Sequence, residues 1–169
     1  MRAKEMTRNR WAAATVFALY ILLLFYLLFF SELNGRGLMN RSHISYNLQP
    51  FREIKRYIFH WKQIGLLSSL LNLFGNIIGF VPLGFLLPSF SGRCRRYWYN
   101  TLMAGYLLSF AVELFQLIFR AGSCDIDDII LNTLGTAFGY LLFILVQRRR
   151  EKRRKKETAQ AEIQKEHFL

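Results

Sequence analysis

Four carboxylates and four amides lie within strongly apolar stretches of this chain, and they are the side chains best equipped for chemistry. Asp125, Asp127 and Asp128 head the run Asp125-Ile126-Asp127-Asp128-Ile129-Ile130-Leu131-Asn132-Thr133-Leu134-Gly135. Glu113, Gln116, Asn72 and Asn76 stand in the apolar segments before it. Acidic residues favour a helix N-terminus, where unpaired N–H groups and the macrodipole carry partial positive charge. A cap needs one or two of them, so three Asp exceed that need. An acidic group within an apolar span is costly and faces other protein or water, which makes Glu113 a functional candidate. Three chemistries are open. The cluster can bind a polar group by shape and hydrogen bonding, or Glu113 or an Asp can act as acid and base. Alternatively, Asp125, Asp127 and Asp128 can hold a cation. Their spacing does not match the standard calcium loop, so no metal and no cofactor is expected.

These residues need elements to position them. The chain has 169 residues, of which 53% are hydrophobic and 16% aromatic, with three prolines. Four segments reach the roughly 20 mostly apolar residues that cross a bilayer: 11–30, 66–87, 98–119 and 129–146. The predicted fold is all-α and polytopic, because in lipid a helix satisfies its own backbone. It comprises an N-terminus at 1–10, a four-helix membrane domain at 11–147 and a basic tail at 148–169. The first segment has a basic start but a long apolar run without a small-x-small cleavage pattern, and reads as an uncleaved span. Lys and Arg number four before the first span, three in the second loop and nine in the tail, against six in the first loop and one near the third. That asymmetry predicts cytoplasmic N- and C-termini, with the long first loop and the Asp-rich loop outside.

The net charge of +12 invites a nucleic-acid reading, most of all at Arg148–Lys156. A basic block directly after a last span instead holds that end in the cytoplasm and attracts anionic headgroups, so no nucleic-acid partner is expected. The tail beyond Glu157 is expected to be frayed or loosely helical. Cys94 and Cys124 fall on opposite sides and should not pair. His43, His60 and His167 fall on loops and tail. No zinc spacing, phosphate-binding glycine loop or Gly-x-Ser-x-Gly elbow is present.

The polar residues in the spans form stripes at helical spacing. One is Ser68 or Ser69, Asn72, Gly75, Asn76 and Gly79. A second is Gly105, Ser109, Glu113, Gln116 and Arg120, and a third is Asp125, Asp128, Asn132, Gly135 and Gly139. Small residues let helices approach and amides bond across the gap, so packing alone can explain part of each stripe. Seven residues separate Glu113 from Arg120, which puts Glu113 roughly 10 Å inward. The expectation is an outward-facing polar pocket of Asn72, Asn76, Glu113, Gln116, Asp125, Asp127, Asp128 and Asn132. In the first loop, Phe51, Ile54, Ile58 and Trp61 recur at helical spacing after Pro50, with basic residues mostly elsewhere around the helix. This predicts an interfacial amphipathic helix at 50–63. Pro50, Phe51 and Arg52 are its candidate lid or interface residues.

Asn47-Leu48-Gln49-Pro50-Phe51, the run Asn72–Leu87, Glu113-x-x-Gln116, and Asp125–Gly135 with Gly139-Tyr140 resemble the VanZ-like membrane proteins. The motifs fall in order over 47–140, and the Asp block is the most specific. The resemblance implies a multi-pass protein of the bacterial cytoplasmic membrane. It also implies a link to teicoplanin-type glycopeptide resistance through the cell envelope, with no catalytic residues to carry over. The reading that follows is a non-enzymatic envelope protein whose pocket takes a membrane lipid, a lipid-linked wall precursor or the lipid tail of a lipoglycopeptide. The alternative is an intramembrane enzyme acting on an anionic lipid or wall precursor.

Overall fold

A computed structural model describes residues 15–26, 46–119 and 123–166. In chain order these form α1 (Thr15–Tyr26), β1 (Tyr46–Asn47), α2 (Arg52–Phe59), α3 (Trp61–Ile64), α4 (Leu66–Phe90), α5 (Gly92–Arg96), α6 (Trp98–Phe119), β2 (Cys124–Asp125) and α7 (Ile126–Glu166). Among the described residues the fold is all-α apart from one parallel two-residue bridge that pairs Tyr46 with Cys124 and Asn47 with Asp125. Three helices, α4, α6 and α7, are long and apolar enough to cross a membrane. The expected first span, 11–30, lies partly outside the described residues, and within them α1 is a shorter apolar helix.

The interior is smaller and more polar than the exterior. Leu67 and Ile118 are each 70% exposed, while Thr136 is fully buried and Asn132 and Asp127 are 1% exposed. In water such an arrangement would leave much apolar surface wet. In lipid it is favourable, because helices associate there through close packing and hydrogen bonds rather than hydrophobic burial.

The tightest seam joins α4 to α7. A Cβ on Gly135 would overlap the Ile77 carbonyl, one on Gly139 the Val81 carbonyl, and one on Gly84 the Thr136 carbonyl. The α4 stripe expected to pack is therefore partly displaced. Gly75 has nothing within 4 Å and Gly79 meets only Leu24 at 3.5 Å, whereas Gly84 takes the close approach. On its other side, α4 receives α1. Phe17, Tyr20 and Ile21 pack around Leu24, Phe80 and Leu83, and the Tyr20 hydroxyl donates to the Gly79 carbonyl at 2.7 Å.

Two boundaries differ from expectation. The segment 50–63 is two helices, not one, with a break at His60 (φ −112°, ψ 20°). The apolar spacing of Phe51, Ile54, Ile58 and Trp61 does not report such a kink. At the other end, α7 begins at Ile126 and runs 41 residues. At 1.5 Å per residue it is about 60 Å long, twice a bilayer's hydrocarbon core. Of the two alternatives expected for the tail, the helical one describes it as far as Glu166. From Tyr140 onward it has no Gly or Pro and is rich in Arg, Lys, Glu, Ala and Gln, all good helix formers.

Short-range capping turns α4 into α6 at the bundle's basic end. The Ser91 hydroxyl accepts the Cys94 N–H at 3.3 Å. The Arg95 guanidinium donates to the carbonyls of Pro88 and Ser89, both at 3.2 Å, satisfying helix-end acceptors.

Candidate functional site

The polar residues meet at the opposite end, where α6 and α7 run antiparallel in a defined register. The backbone N–H of Asp125 donates to Glu113 Oε2 at 2.8 Å. Deeper along the pair, Asn132 Nδ2 donates to Ser109 Oγ at 2.8 Å, and Gly105 lies against the Thr136 side chain. Glu113 and Gln116 are both buried.

The three Asp carboxylates do separate jobs. Asp125 is the N-cap of α7. Its Oδ1 accepts the Asp127 N–H at 2.9 Å and the Asn47 side-chain amide at 3.1 Å. The Asn47 Oδ1 in turn accepts the Gln49 N–H at 3.2 Å, an Asx turn that aims the chain toward Pro50. Asp127 points away from its own helix and holds the start of α2. It accepts the backbone N–H groups of Phe51 (2.5 Å), Glu53 (2.7 Å) and Ile54 (3.1 Å). A carboxylate there satisfies orphan donors and complements the helix dipole. Phe51 has φ 65°, an unfavourable conformation for a residue with a Cβ, in the turn that brings these N–H groups round to Asp127. Asp128 accepts the Asn76 amide at 2.6 Å, tying α7 to α4.

Seven of the eight expected pocket residues therefore gather at this end: Asn76, Glu113, Gln116, Asp125, Asp127, Asp128 and Asn132. Asn72 does not join them. It is exposed, and its amide donates to the Ser68 carbonyl of its own helix at 2.8 Å. Of the candidate lid residues, Pro50, Phe51 and Arg52 are all exposed, and Phe51 is held through its backbone. Arg120 lies outside the described residues. Asn132 Oδ1 and, on α4, Ser69 Oγ are buried without a hydrogen-bond partner. Asp125, Asp127 and Asp128 diverge toward three different partners. Among the described residues, no three Asp, Glu, His or Cys side chains are arranged to hold a metal ion.

Burial pushes the Asp125 carboxyl above its usual range. The Asp127 N–H opposes this, the Asp127 and Glu53 charges add to it, and the Asn47 amide opposes it. Beside it, the Cys124 thiol is raised by burial first, then by Glu113 and Asp125. Nearby negative charge disfavours the thiolate. Labelling of Cys124 should therefore keep accelerating above the pH at which an open cysteine levels off, and Asp125→Asn should shift the curve partly back. Rates of thiol alkylation across roughly pH 7 to 10 measure this. A curve matching a free thiol in both proteins would refute the charge environment described.

A cavity of about 520 Å³ opens beside the cluster, between α6 and α7. Tyr106 and Phe110 wall one side, Ile130 and Leu134 the other, and Leu48 and Cys124 stand at its Asp end. Its lining is nearly all apolar. The cavity thus lies beside the polar group, whose hydrogen bonds run between α4, α6, α7 and the start of α2.

A family model for VanZ/LLP1 matches residues 17–147. The chain belongs to the VanZ/LLP1 family. Protein VanZ of Enterococcus faecium is 30% identical over 128 residues, covering 75% of this chain and 70% of that protein. No solved structure gave a significant match. The VanZ/LLP1 match takes in most of α1, all of α2 to α6 and the apolar part of α7, and it stops where the basic run at Arg148 begins. With three long apolar helices among the described residues, this family member is a multi-pass membrane protein.

Within the VanZ/LLP1 stretch, four contributors to the site were not among the expected pocket residues: Asn47, Ser109, Thr136 and the backbone N–H groups of α2. Asn47 and Ser109 stood in recognisable motifs, but their partners lie 78 and 23 positions away. The α2 amides carry no residue-type signal at all.

Proposed function

We propose that this chain is an envelope protein of the bacterial cytoplasmic membrane that engages a lipid or lipid-linked ligand on its outer side and lowers susceptibility to teicoplanin-type glycopeptides. The observation that carries the reading is the Asp127 clasp. It fixes α2 and α3 over one end of the spans and presents basic and aromatic groups together. Arg56 lies over the Tyr57 ring at 5.1 Å and Lys62 over the Trp61 ring at 5.7 Å. Such a surface suits anionic headgroups at a membrane interface.

In this reading, 11–30 supplies a fourth span and both termini are cytoplasmic. The basic α5 and the Arg148–Lys156 run share one end of the bundle, which favours that orientation. The polar cluster forms the inner wall beneath α2, and Pro50–Arg52 forms its cover. Binding is favoured over turnover by Glu113, which is 2% exposed and already accepts the Asp125 N–H.

Two experiments test this. In intact cells, a membrane-impermeant thiol reagent should label Cys124. It should not label a Gly92→Cys probe in a cysteine-free background, where Gly92 is exposed and open. The reverse pattern would invert the orientation. Separately, cells lacking the protein should become more sensitive to teicoplanin and recover with the wild type. They should not recover with Asp127→Ala when protein levels are matched. Unchanged sensitivity on deletion would remove the resistance role, and lipid and wall-precursor profiles of the same strains would show turnover if the protein is an enzyme.

A further inference from the structure

The groove between α6 and α7 has the dimensions and position of an acyl-chain site. Along α7 its lining runs from Ile126 to Ala137. That is eleven residue steps, about 16 Å at 1.5 Å per residue, close to the depth of one leaflet of a roughly 30 Å core. Its back is closed where Gly105 meets Thr136. Its front is open, because Tyr106, Phe110 and Leu134 are each partly exposed. The Tyr106 and Phe110 rings are nearly parallel, 10° apart with centroids at 6.2 Å, and make a flat wall along the groove. In a bilayer the medium meeting such an opening is hydrocarbon, and a chain can enter sideways.

The Asp end supplies the other half of the site. Leu48 reaches the groove there, and α2 starts four residues later with Arg52 and Lys55 exposed. Two exposed basic side chains beyond that end of the groove complement a phosphate. Neither has an ion pair among the salt bridges of the described residues. We propose that the groove holds one acyl chain of an anionic phospholipid of the outer leaflet, with its phosphate toward Arg52 and Lys55. This rests on the lipid-binding reading above and narrows it, moving the ligand from the buried polar cluster to the adjacent apolar groove.

The test uses the full chain in nanodiscs that contain a trace of phosphatidylglycerol with a photoreactive diazirine in its acyl chain. Peptide mapping should find crosslinks at Tyr106, Phe110, Ile130 or Leu134. These should exceed those on the lipid-facing Leu67 and Leu71 of α4 by about fivefold, the factor expected from one basic residue's attraction. Unlabelled phosphatidylglycerol should compete and phosphatidylcholine should not. Ala137→Phe and, from the facing wall, Leu102→Trp should each remove the groove crosslinks while the α4 background persists, which reports an intact fold. Arg52→Gln with Lys55→Gln should abolish the preference for phosphatidylglycerol.

Equal labelling of the groove and the α4 face would mean annular lipid only and overturn the site. Stronger competition by a polyprenyl phosphate would overturn the phospholipid assignment. Groove crosslinks that stand in the wild type while deletion leaves teicoplanin sensitivity unchanged would uphold the site and sink the resistance reading instead.

Discussion

Gly139→Ala should destabilise the protein far more than Gly75→Ala, although both replace a glycine in an apolar helix. The added Cβ at 139 collides with the Val81 carbonyl and the Phe85 N–H across the α4–α7 seam. Both are backbone atoms of a packed helix, so no side chain can turn aside to relieve the overlap. Overpacking costs about 1–3 kcal/mol where a core can adjust, and this site belongs at or above the upper end. An apparent Tm in detergent should fall by about 6–12 °C. Gly135→Ala and Gly84→Ala should behave alike, for they face the Ile77 and Thr136 carbonyls. At Gly75 the new methyl meets open space, and alanine's better helix propensity makes the change neutral or slightly stabilising. A common small effect at 139 and 75 would contradict the close approach of α4 and α7.

The second large effect is expected at Asp127. Its carboxylate accepts three backbone N–H groups at the start of α2 from more than 70 residues away. Hydrogen bonds to charged groups contribute about 1.5–3 kcal/mol each, and the three share one acceptor, so roughly 3–6 kcal/mol rests on this side chain. In Asp127→Ala the α2–α3 segment should open while the α4–α7 seam holds, because the close backbone approaches of that seam lie at Gly135 and Gly139, further along α7. Amide exchange over residues 52–64 should accelerate by about 100-fold or more. Asp127→Asn keeps one acceptor oxygen and should fall between the two. Unchanged protection of the Glu53 and Ile54 amides in Asp127→Ala would show that something else holds the segment. By contrast, Asp125→Asn should affect α7 more than α2, since Asp125 caps its own helix and receives Asn47.

This division of labour among neighbouring Asp residues could not be read from their order. Their surplus over one cap was legible, and it marked the right end of the bundle. At helical spacing, Asp125, Asp128 and Asn132 form one stripe while Asp127 falls outside it. Yet Asp127 accepts three backbone N–H groups at the start of another helix. The stripe rule compares positions around one helix, whereas the partner of Asp127 is a separate helix that the chain reaches only after folding back. Asn72 shows the converse. It shares a stripe with Asn76 four residues on, but Asn76 bonds Asp128 while Asn72 turns back to Ser68.

The apolar groove was not anticipated either. Tyr106, Phe110, Ile130 and Leu134 look in sequence like any lipid-facing residues. They become a cavity wall only because Gly105 and Thr136 draw α6 and α7 together behind them while the outer faces diverge.

What the sequence by itself determined is three of the four expected long apolar helices, and the family. Span length is set by bilayer thickness, and a helix satisfies its backbone within its own segment, so both properties are local and survive in one dimension. The bounds of α6, Trp98–Phe119, match the expected span for that reason. The helical extension of α7 was also open to a local argument from helix propensity. Only the tertiary structure decided which glycines touch, that Asp127 clasps α2, and that the groove lies apart from the polar cluster. Each depends on residues distant in sequence meeting at separations of a few ångströms, where one Cβ or one carboxylate oxygen changes the outcome.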